Sequence, residues 1–205
     1  MTAFLFAYAW TISWTACRFV GWWHYASVLE WFLHKDVMHK PVGSFKYPYE
    51  AHTKVHHHIF KYDKTYHLQN REDEKTITMA WWNGPVLVFI ATLLLPFFLS
   101  WIFGNWWLCL EAAVTVGIYY GAYEYMHFCM HKPREEQLRL IEKSWIFYKL
   151  NGHHLLHHRY MNRNFNVVYP FMDLCMGTLL LRSKIAFPQA RGPRVPDVQP
   201  KTNRK

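Results

Sequence analysis

The chain has 205 residues and a formal net charge of +9, and its composition is 52% hydrophobic and 19% aromatic. This aromatic content is unusual for a small soluble domain and typical of a membrane protein whose rings gather at the lipid interfaces. The basic charge fits a nucleic acid or the cytoplasmic side of a membrane, and no nucleic-acid-binding motif is present in the sequence, which argues against nucleic acid as a partner.

The first predicted element is the apolar segment 3–33, which Arg18 interrupts. As a single helix it would extend about 46 Å at about 1.5 Å per residue. That length exceeds the hydrocarbon core of a bilayer, which is about 30 Å thick. The segment is therefore either one tilted helix that projects beyond the bilayer or two shorter helices that meet near Arg18 and Gly21.

The second apolar segment, 82–125, is predicted to be a transmembrane hairpin that turns at Gly104 and Asn105. Pro96 is expected to kink its first arm. A hairpin returns the chain to the side it left, so the polar lobes 34–80 and 127–185 should lie together. Their basic excess predicts that this side is cytoplasmic, at a cell inner membrane or an endoplasmic reticulum membrane. A buried hairpin in a soluble protein is the alternative.

These segments together predict an all-α integral membrane protein, with transmembrane helices and a cytoplasmic helical cap. Residues 1–187 form a single membrane-embedded domain in this prediction. Residues 188–205 form a basic, proline-rich tail that is expected to be disordered.

Histidines are concentrated in the two polar lobes, in four groups that flank the hairpin. At about 100° per residue on an α-helix, His127 and His131 stack about 40° apart, whereas His34 and His39 are about 140° apart. An adjacent pair of histidines cannot aim both rings at one point, but it can serve two neighbouring metals. The pattern therefore predicts a two-metal centre. The candidate ligands are the twelve histidines of these four groups: His34 and His39; His52, His56, His57 and His58; His127 and His131; and His153, His154, His157 and His158.

Ligand type alone does not choose the metal, because imidazole suits zinc, copper, iron and nickel. Structural zinc takes four ligands and usually recruits cysteine, and the histidines here are more than twice that number. The HExxH motif is absent, because Phe128 follows His127. Soluble di-iron bundles need paired Glu-x-x-His motifs, and only Glu124 with His127 matches. A histidine-rich dimetal oxidase in a membrane remains.

The order HxxxxH, HxxxHH, HxxxH, HxxHH around an apolar hairpin resembles the fatty acid hydroxylase / sterol desaturase superfamily of integral membrane di-iron enzymes. The resemblance covers about residues 20 to 185. The segment "HHRYMNRNFNVVYPFMDLCMGTLL" is also similar to the one that follows the last histidine box in that family. The resemblance implies that two iron ions, or zinc in the isolated protein, are bound by ten of these histidines: His34, His39, His52, His56, His57, His127, His131, His154, His157 and His158. Candidates for hydrogen-bonding these ligands from behind are His58, His153, Glu124 and Asp173, and also Glu30 and Glu50.

The activity that the resemblance implies is O2-dependent hydroxylation of a C–H bond in a membrane lipid or another long hydrophobic substrate, such as a fatty acyl chain, a sterol or a carotenoid. A separate ferredoxin, cytochrome or flavoprotein reductase would supply electrons. Desaturation at the same site is the first alternative. The second is a non-enzymatic membrane protein that binds or transports metal. It predicts ionisable residues within the spans, and residues 81–126 offer only Glu111 and Glu124.

Overall fold

A computed structural model describes residues 2–133, 136 and 141–181, with side chains described from residue 13 onward. The predicted tail 188–205 lies outside the described residues. Every regular element in the described part is helical, and it contains no β-strand beyond an isolated bridge between Val42 and Phe45. The all-α prediction is therefore confirmed.

The first apolar segment is a single helix, α1 (Thr2–Phe32), which passes through Arg18 and Gly21 without a break. Arg18 is accommodated by a bidentate ion pair, in which Nε and Nη2 each lie 2.8 Å from an oxygen of Glu111. Of the two alternatives, the single long helix is the one observed. It leads directly into a π-helical segment, π1 (Leu33–Met38).

The lobe after π1 is built from short helical pieces. These are α2 (Tyr47–Tyr49), a second π-helical segment π2 (Glu50–His56), α3 (His57–Ile59), and two 3₁₀ turns at Lys64–Tyr66 and Arg71–Thr76. Phe60, Leu68 and Ile77 of this lobe form a small hydrophobic cluster, and Phe128, from beyond the hairpin, packs against it. The lobe is thereby fixed against the rest of the molecule.

The predicted hairpin is present, but its first arm is interrupted. Helix α4 (Asn83–Leu93) ends at Leu94, and α5 (Leu95–Phe103) begins immediately after it. Pro96 lies in the first turn of α5, where the missing N–H costs no helical hydrogen bond. The first arm is thus disrupted next to Pro96, as the sequence predicts, and the disruption is a break between two helices at Leu94.

The turn of the hairpin lies where it was predicted. Gly104 ends α5 with a left-handed φ of 61°, a conformation that glycine adopts without steric cost. The Asn105 side chain accepts from the Trp107 N–H, and α6 (Trp107–His131) begins there. In the described part of the chain, the stretch Asn83–Phe103 is long and apolar enough to cross a membrane.

The second lobe contains α7 (Trp145–Arg159) and α8 (Phe171–Cys175). The hydroxyl of Ser144 caps α7 by accepting from the Phe147 N–H. Helix α1 packs on α6 through Ala26, Val116 and Tyr119, and it also contacts α8. At its C-terminal end α6 contacts the first lobe, where the Leu68 N–H donates to the His131 carbonyl, and it also contacts α7 of the second lobe. The histidines converge at this point.

Candidate metal centre

The ten histidines form two adjoining clusters of five, and within each cluster one ring nitrogen from every histidine lies within 4.8 Å of those of the other four. Nine of the ten are buried, and His39 is partly exposed. The clusters touch, since the rings of His57 and His158 are 4.3 Å apart. Cluster A consists of His34, His39, His52, His57 and His157, and cluster B consists of His56, His127, His131, His154 and His158.

The spacing of the Nε2 atoms suits ligands around one ion. In cluster A, Nε2 of His39 lies 3.0 Å from that of His157, and in cluster B, Nε2 of His131 lies 3.0 Å from that of His154. At metal–nitrogen distances of about 2.0–2.1 Å, two nitrogens at right angles are about 2.9 Å apart, and two at the tetrahedral angle are about 3.4 Å apart. The observed spacing is the shorter one, which fits a centre with five or six ligands.

The hydrogen bonds of cluster A leave lone pairs facing one another. Nδ1 of His157 donates to the Arg163 carbonyl at 2.8 Å. Nδ1 of His39 lies 3.1 Å from the Thr53 hydroxyl, which itself donates to the Met38 carbonyl at 2.7 Å and so accepts from His39. Both Nε2 atoms are then unprotonated acceptors 3.0 Å apart. Two such lone pairs repel each other unless a cation lies between them.

Cluster B contains buried nitrogens of the same kind. Nδ1 of His56 faces the Thr76 carbonyl at 3.1 Å, and the His127 ring is hydrogen-bonded to the backbone of Ile77. Nε2 of His56 and Nε2 of His127 have no hydrogen-bond partner within the part of the chain that the structure describes. A buried nitrogen acceptor without a partner is costly, and a metal ion would satisfy it.

The two π-helical segments explain how histidines five residues apart join one cluster. On an α-helix, His34 and His39 would point about 140° apart. In a π-helix the residue five positions on follows directly above, because the backbone hydrogen bond runs from i to i+5. The rings of His34 and His39 are accordingly stacked at 5.2 Å, and those of His52 and His57 are 4.7 Å apart. The α-helical expectation was therefore wrong for His34 and His39, and His52 and His57, which have the same spacing, depart from α-helical geometry in the same way.

Adjacent histidines divide between the clusters. His56 lies in cluster B and His57 in cluster A, and His157 and His158 are divided in the same way. The ring centroids within these pairs are 5.6 and 6.0 Å apart. Each pair therefore links two neighbouring sites, as the sequence pattern predicts.

Burial keeps the imidazoles neutral, the state in which a ring nitrogen can bind a metal. Desolvation lowers the pKa of His157 to about 4. Desolvation, followed by the proximity of His157, lowers the pKa of His39 to about 3. The pKa values of His34, His52 and His57 also lie well below the ordinary histidine value, mainly because of burial.

The partners behind the rings are mainly backbone carbonyls. Nδ1 of His34 faces the carbonyl of Phe165 at 2.5 Å, and Nδ1 of His158 faces that of Phe60 at 2.5 Å. Nδ1 of His131 faces the Tyr66 carbonyl at 2.7 Å. Every residue carries a carbonyl, so the sequence contains no pattern that could have identified these partners.

The predicted carboxylate partners do not touch the imidazoles through any described hydrogen bond. Glu124 accepts from the Met79 N–H and the Tyr120 hydroxyl, and Asp173 accepts from backbone and a threonine. Glu30 accepts from the Tyr119 hydroxyl, the Asn166 amide and the Val167 N–H. The prediction that these groups orient histidine N–H bonds directly was therefore wrong, because each binds the polypeptide next to a cluster.

The remaining candidates lie outside the clusters. His58 is exposed. His153 is buried, and its Nδ1 has no hydrogen-bond partner among the described residues. Glu50 begins π2, and His24 and His67 bond elsewhere, to the carbonyls of Val20 and Lys132.

Two cavities reach the clusters. An apolar cavity of about 180 Å³ lies between α1, π1, α4 and α6, and His34 is part of its wall. A more polar cavity of about 270 Å³ is lined by His52 of cluster A and by His56 and His127 of cluster B. Met79 and Tyr123 line both cavities and so stand between them.

The fold and the site together define an all-α protein with two adjoining, buried histidine clusters that could hold metal ions. Comparisons with protein-family models, curated proteins and solved structures found no match to this chain.

Proposed function

We propose that this protein is an integral membrane, O2-dependent di-iron hydroxylase that oxidises a C–H bond of a long hydrophobic substrate. The observation that carries the proposal is the pair of five-histidine clusters, whose buried Nε2 atoms converge at ligand spacing. Ten imidazoles with lone pairs turned inward have no ordinary structural use. The histidine order that resembles the fatty acid hydroxylase / sterol desaturase superfamily supports iron over the other metals that imidazole binds.

The membrane location is supported by the outer surface of the hairpin. In the apolar stretch Asn83–Phe103, only 17% of the most apolar window is buried within the protein, unlike a core helix of a soluble protein. Phe89, Trp101 and Phe103 are each at least 65% exposed. An exposed apolar surface of this size requires lipid or a partner. In this proposal α1 and α6 cross the membrane together with Asn83–Phe103, and the basic lobes lie on the cytoplasmic side.

The substrate is proposed to lie in the apolar cavity. Its walls include Leu29, Val37, Leu87, Ile90 and Val116, and His34 places cluster A at one side. Ile90 is half exposed on the outer surface of α4, so the cavity adjoins the face that is assigned to lipid. A hydrocarbon chain could thus enter sideways from the bilayer and reach the clusters without crossing water.

The protein residues hold the geometry and exclude water, while two bound irons would supply the redox chemistry for O2. In the overall reaction, one oxygen atom enters the C–H bond as a hydroxyl group and the other leaves as water. A separate electron-transfer protein supplies the two electrons, and two protons come from solvent. The hydrogen bonds behind the rings of His34, His131, His157 and His158 hold these imidazoles in place before substrate arrives.

Comparative lipidomics of iron-replete cells, with and without expression, tests the proposal. We expect a lipid that has gained one oxygen atom, and its loss in the ligand variants His131→Ala and His157→Ala, each with membrane insertion intact. His24→Ala is the matched control and should retain the product. A lipid that has lost two hydrogens would identify a desaturase. If the lipids are unchanged although the protein binds metal, the enzyme assignment is overturned in favour of metal binding or transport.

A further inference from the structure

Two carboxylates lie behind the clusters, the buried Asp173 behind cluster A and the partly buried Glu124 behind cluster B. We propose that Asp173 is a positioning residue for the metal of cluster A and Glu124 for that of cluster B, each acting through the backbone. This inference rests on the proposed metal centre. It goes beyond that proposal because it separates the two metal sites by what supports them.

Asp173 is fully buried and anchors the chain that holds His34. Its carboxylate accepts from the N–H groups of Phe165 at 3.0 Å and Asn166 at 2.7 Å, and from the Thr178 hydroxyl at 2.6 Å. The carbonyl of Phe165 in turn faces Nδ1 of His34 at 2.5 Å. One residue therefore connects the carboxylate to a ligand of cluster A.

The same loop supports a second ligand of cluster A. The Arg163 carbonyl accepts from Nδ1 of His157 at 2.8 Å. The next residue, Asn164, has a left-handed φ of 54°, and its side chain donates to the carbonyls of His153 and Leu180 at 3.0 Å. A non-glycine residue in this conformation persists only when its surroundings hold it there. The loop is thus fixed at both of the carbonyls that face cluster A.

Glu124 has the corresponding place behind cluster B. Its carboxylate accepts from the Met79 N–H at 3.3 and 3.4 Å and from the Tyr120 hydroxyl at 2.7 Å. The chain that leads to Met79 carries the Thr76 carbonyl, which faces Nδ1 of His56 at 3.1 Å. The Met79 bonds are longer than those of Asp173, so we expect a smaller effect from this residue.

The two supports belong to different segments, which makes the proposal selective. The carbonyls behind cluster A come from the loop that Asp173 holds, whereas those behind cluster B come from residues 60–77. Loss of a group that holds a metal ligand in place by hydrogen bonding typically weakens metal binding by about 10–100-fold. Loss of one carboxylate should therefore weaken one metal and leave the other unchanged.

The experiment titrates the purified, metal-depleted full chain in detergent with Zn²⁺ against a chromophoric chelator. We expect Asp173→Asn to weaken one of the two bound ions by about 10–100-fold, and Glu124→Gln to weaken the other by less. In a His157→Ala background, which removes a ligand of cluster A, Asp173→Asn should leave the remaining ion unchanged. In a His131→Ala background it should weaken that ion.

Glu111→Gln is the matched control, because Glu111 is also a largely buried carboxylate but bonds to Arg18 and no loop of the centre. It should retain both affinities. Equal weakening of both ions by Asp173→Asn, or no weakening, would overturn the proposal. If Asp173→Asn does not fold, Thr178→Val removes one donor to the same carboxylate, and unchanged affinities in that variant would also overturn it. Because Zn²⁺ binding needs neither O2 nor lipid, the outcome is independent of whether the protein is a hydroxylase.

Discussion

The two histidine clusters are alike on the side that faces the centre and different on the side that faces away. Both present five Nε2 atoms at similar spacing. Cluster A takes His34 and His52 from the two π-helical segments, and His39 and His57 directly follow those segments. Its member His39 is partly exposed and is backed by the Thr53 hydroxyl. Cluster B takes four of its members from α6 and α7, and all five are buried. The difference shows that two neighbouring sites with the same ligand type can differ in metal affinity through the groups that support the ligands from behind.

The largest expected effect comes from replacing, one at a time, two adjacent histidines that belong to different clusters. His56→Ala and His57→Ala change adjacent residues but different clusters, so each should remove a different metal, and both should abolish the product. The loss of affinity should exceed the roughly 10–100-fold that is typical when a group that holds a ligand by hydrogen bonding is lost. Metal content and lipid product are the measurements. His58→Ala, at the exposed position directly after His57, is the control and should keep both metals. Loss of the same metal in both variants would contradict the division.

Acidification tests what the clusters share, which is the neutral state of buried imidazoles. The folded pKa of His157 is lowered to about 4 and that of His39 to about 3, below the ordinary value of about 6.5. Below pH 6.5 these histidines therefore bind more protons in the unfolded chain than in the folded one. The thermal midpoint of the metal-free protein should be constant above pH 6.5 and should fall as the pH decreases from 6.5 towards 4. A midpoint that rises over this interval would show that the rings are charged in the folded state.

A smaller effect should come from Thr53→Val, which keeps the side-chain shape but removes the oxygen that accepts from His39. One hydrogen bond contributes about 0.5–1.5 kcal/mol, which corresponds to roughly 2–10-fold in affinity. Only the metal of cluster A should weaken in the Zn²⁺ titration. Thr53→Ser retains the hydroxyl and should restore wild-type affinity, and an equal loss in that variant would point to packing as the cause.

The smallest effect is expected at the histidines outside the clusters. His24 and His67 bond to backbone carbonyls of Val20 and Lys132 and contribute no atom to either cluster. His24→Ala and His67→Ala should retain both metals and the lipid product. Loss of a metal in either variant would mean that the clusters are not delimited as described.

Much of the fold could be predicted from the sequence, because its strongest features are local. Glycine and asparagine at 104 and 105 marked the hairpin turn, and the apolar runs marked the long helices. The continuity of α1 at Arg18 could not be predicted. Its partner Glu111 is 93 residues away, so only the tertiary structure reveals the ion pair. The break at Leu94 likewise depends on where Pro96 falls within a helix.

The sequence was enough to predict which histidines form the candidate site, but not how their rings are arranged. The ten histidines chosen by pattern are the ten that the structure brings together. The assumption of α-helical spacing misplaced His34 relative to His39, because a π-helix depends on tertiary packing and has no clear sequence pattern. Asp173 was recognised as unusual in an apolar stretch, but its target is a loop backbone that the sequence does not reveal.

The π-helical segments also have a consequence for how this gene can change. A π-helical turn accommodates one more residue than an α-helical turn, and here that extra residue places His39 one turn above His34 and His57 one turn above His52, on the same side of the helix. Replacing a residue between the histidines leaves this register intact, whereas deleting or inserting one shifts an imidazole away from its partner. Over evolution, these two stretches should therefore vary in residue type while keeping their length constant.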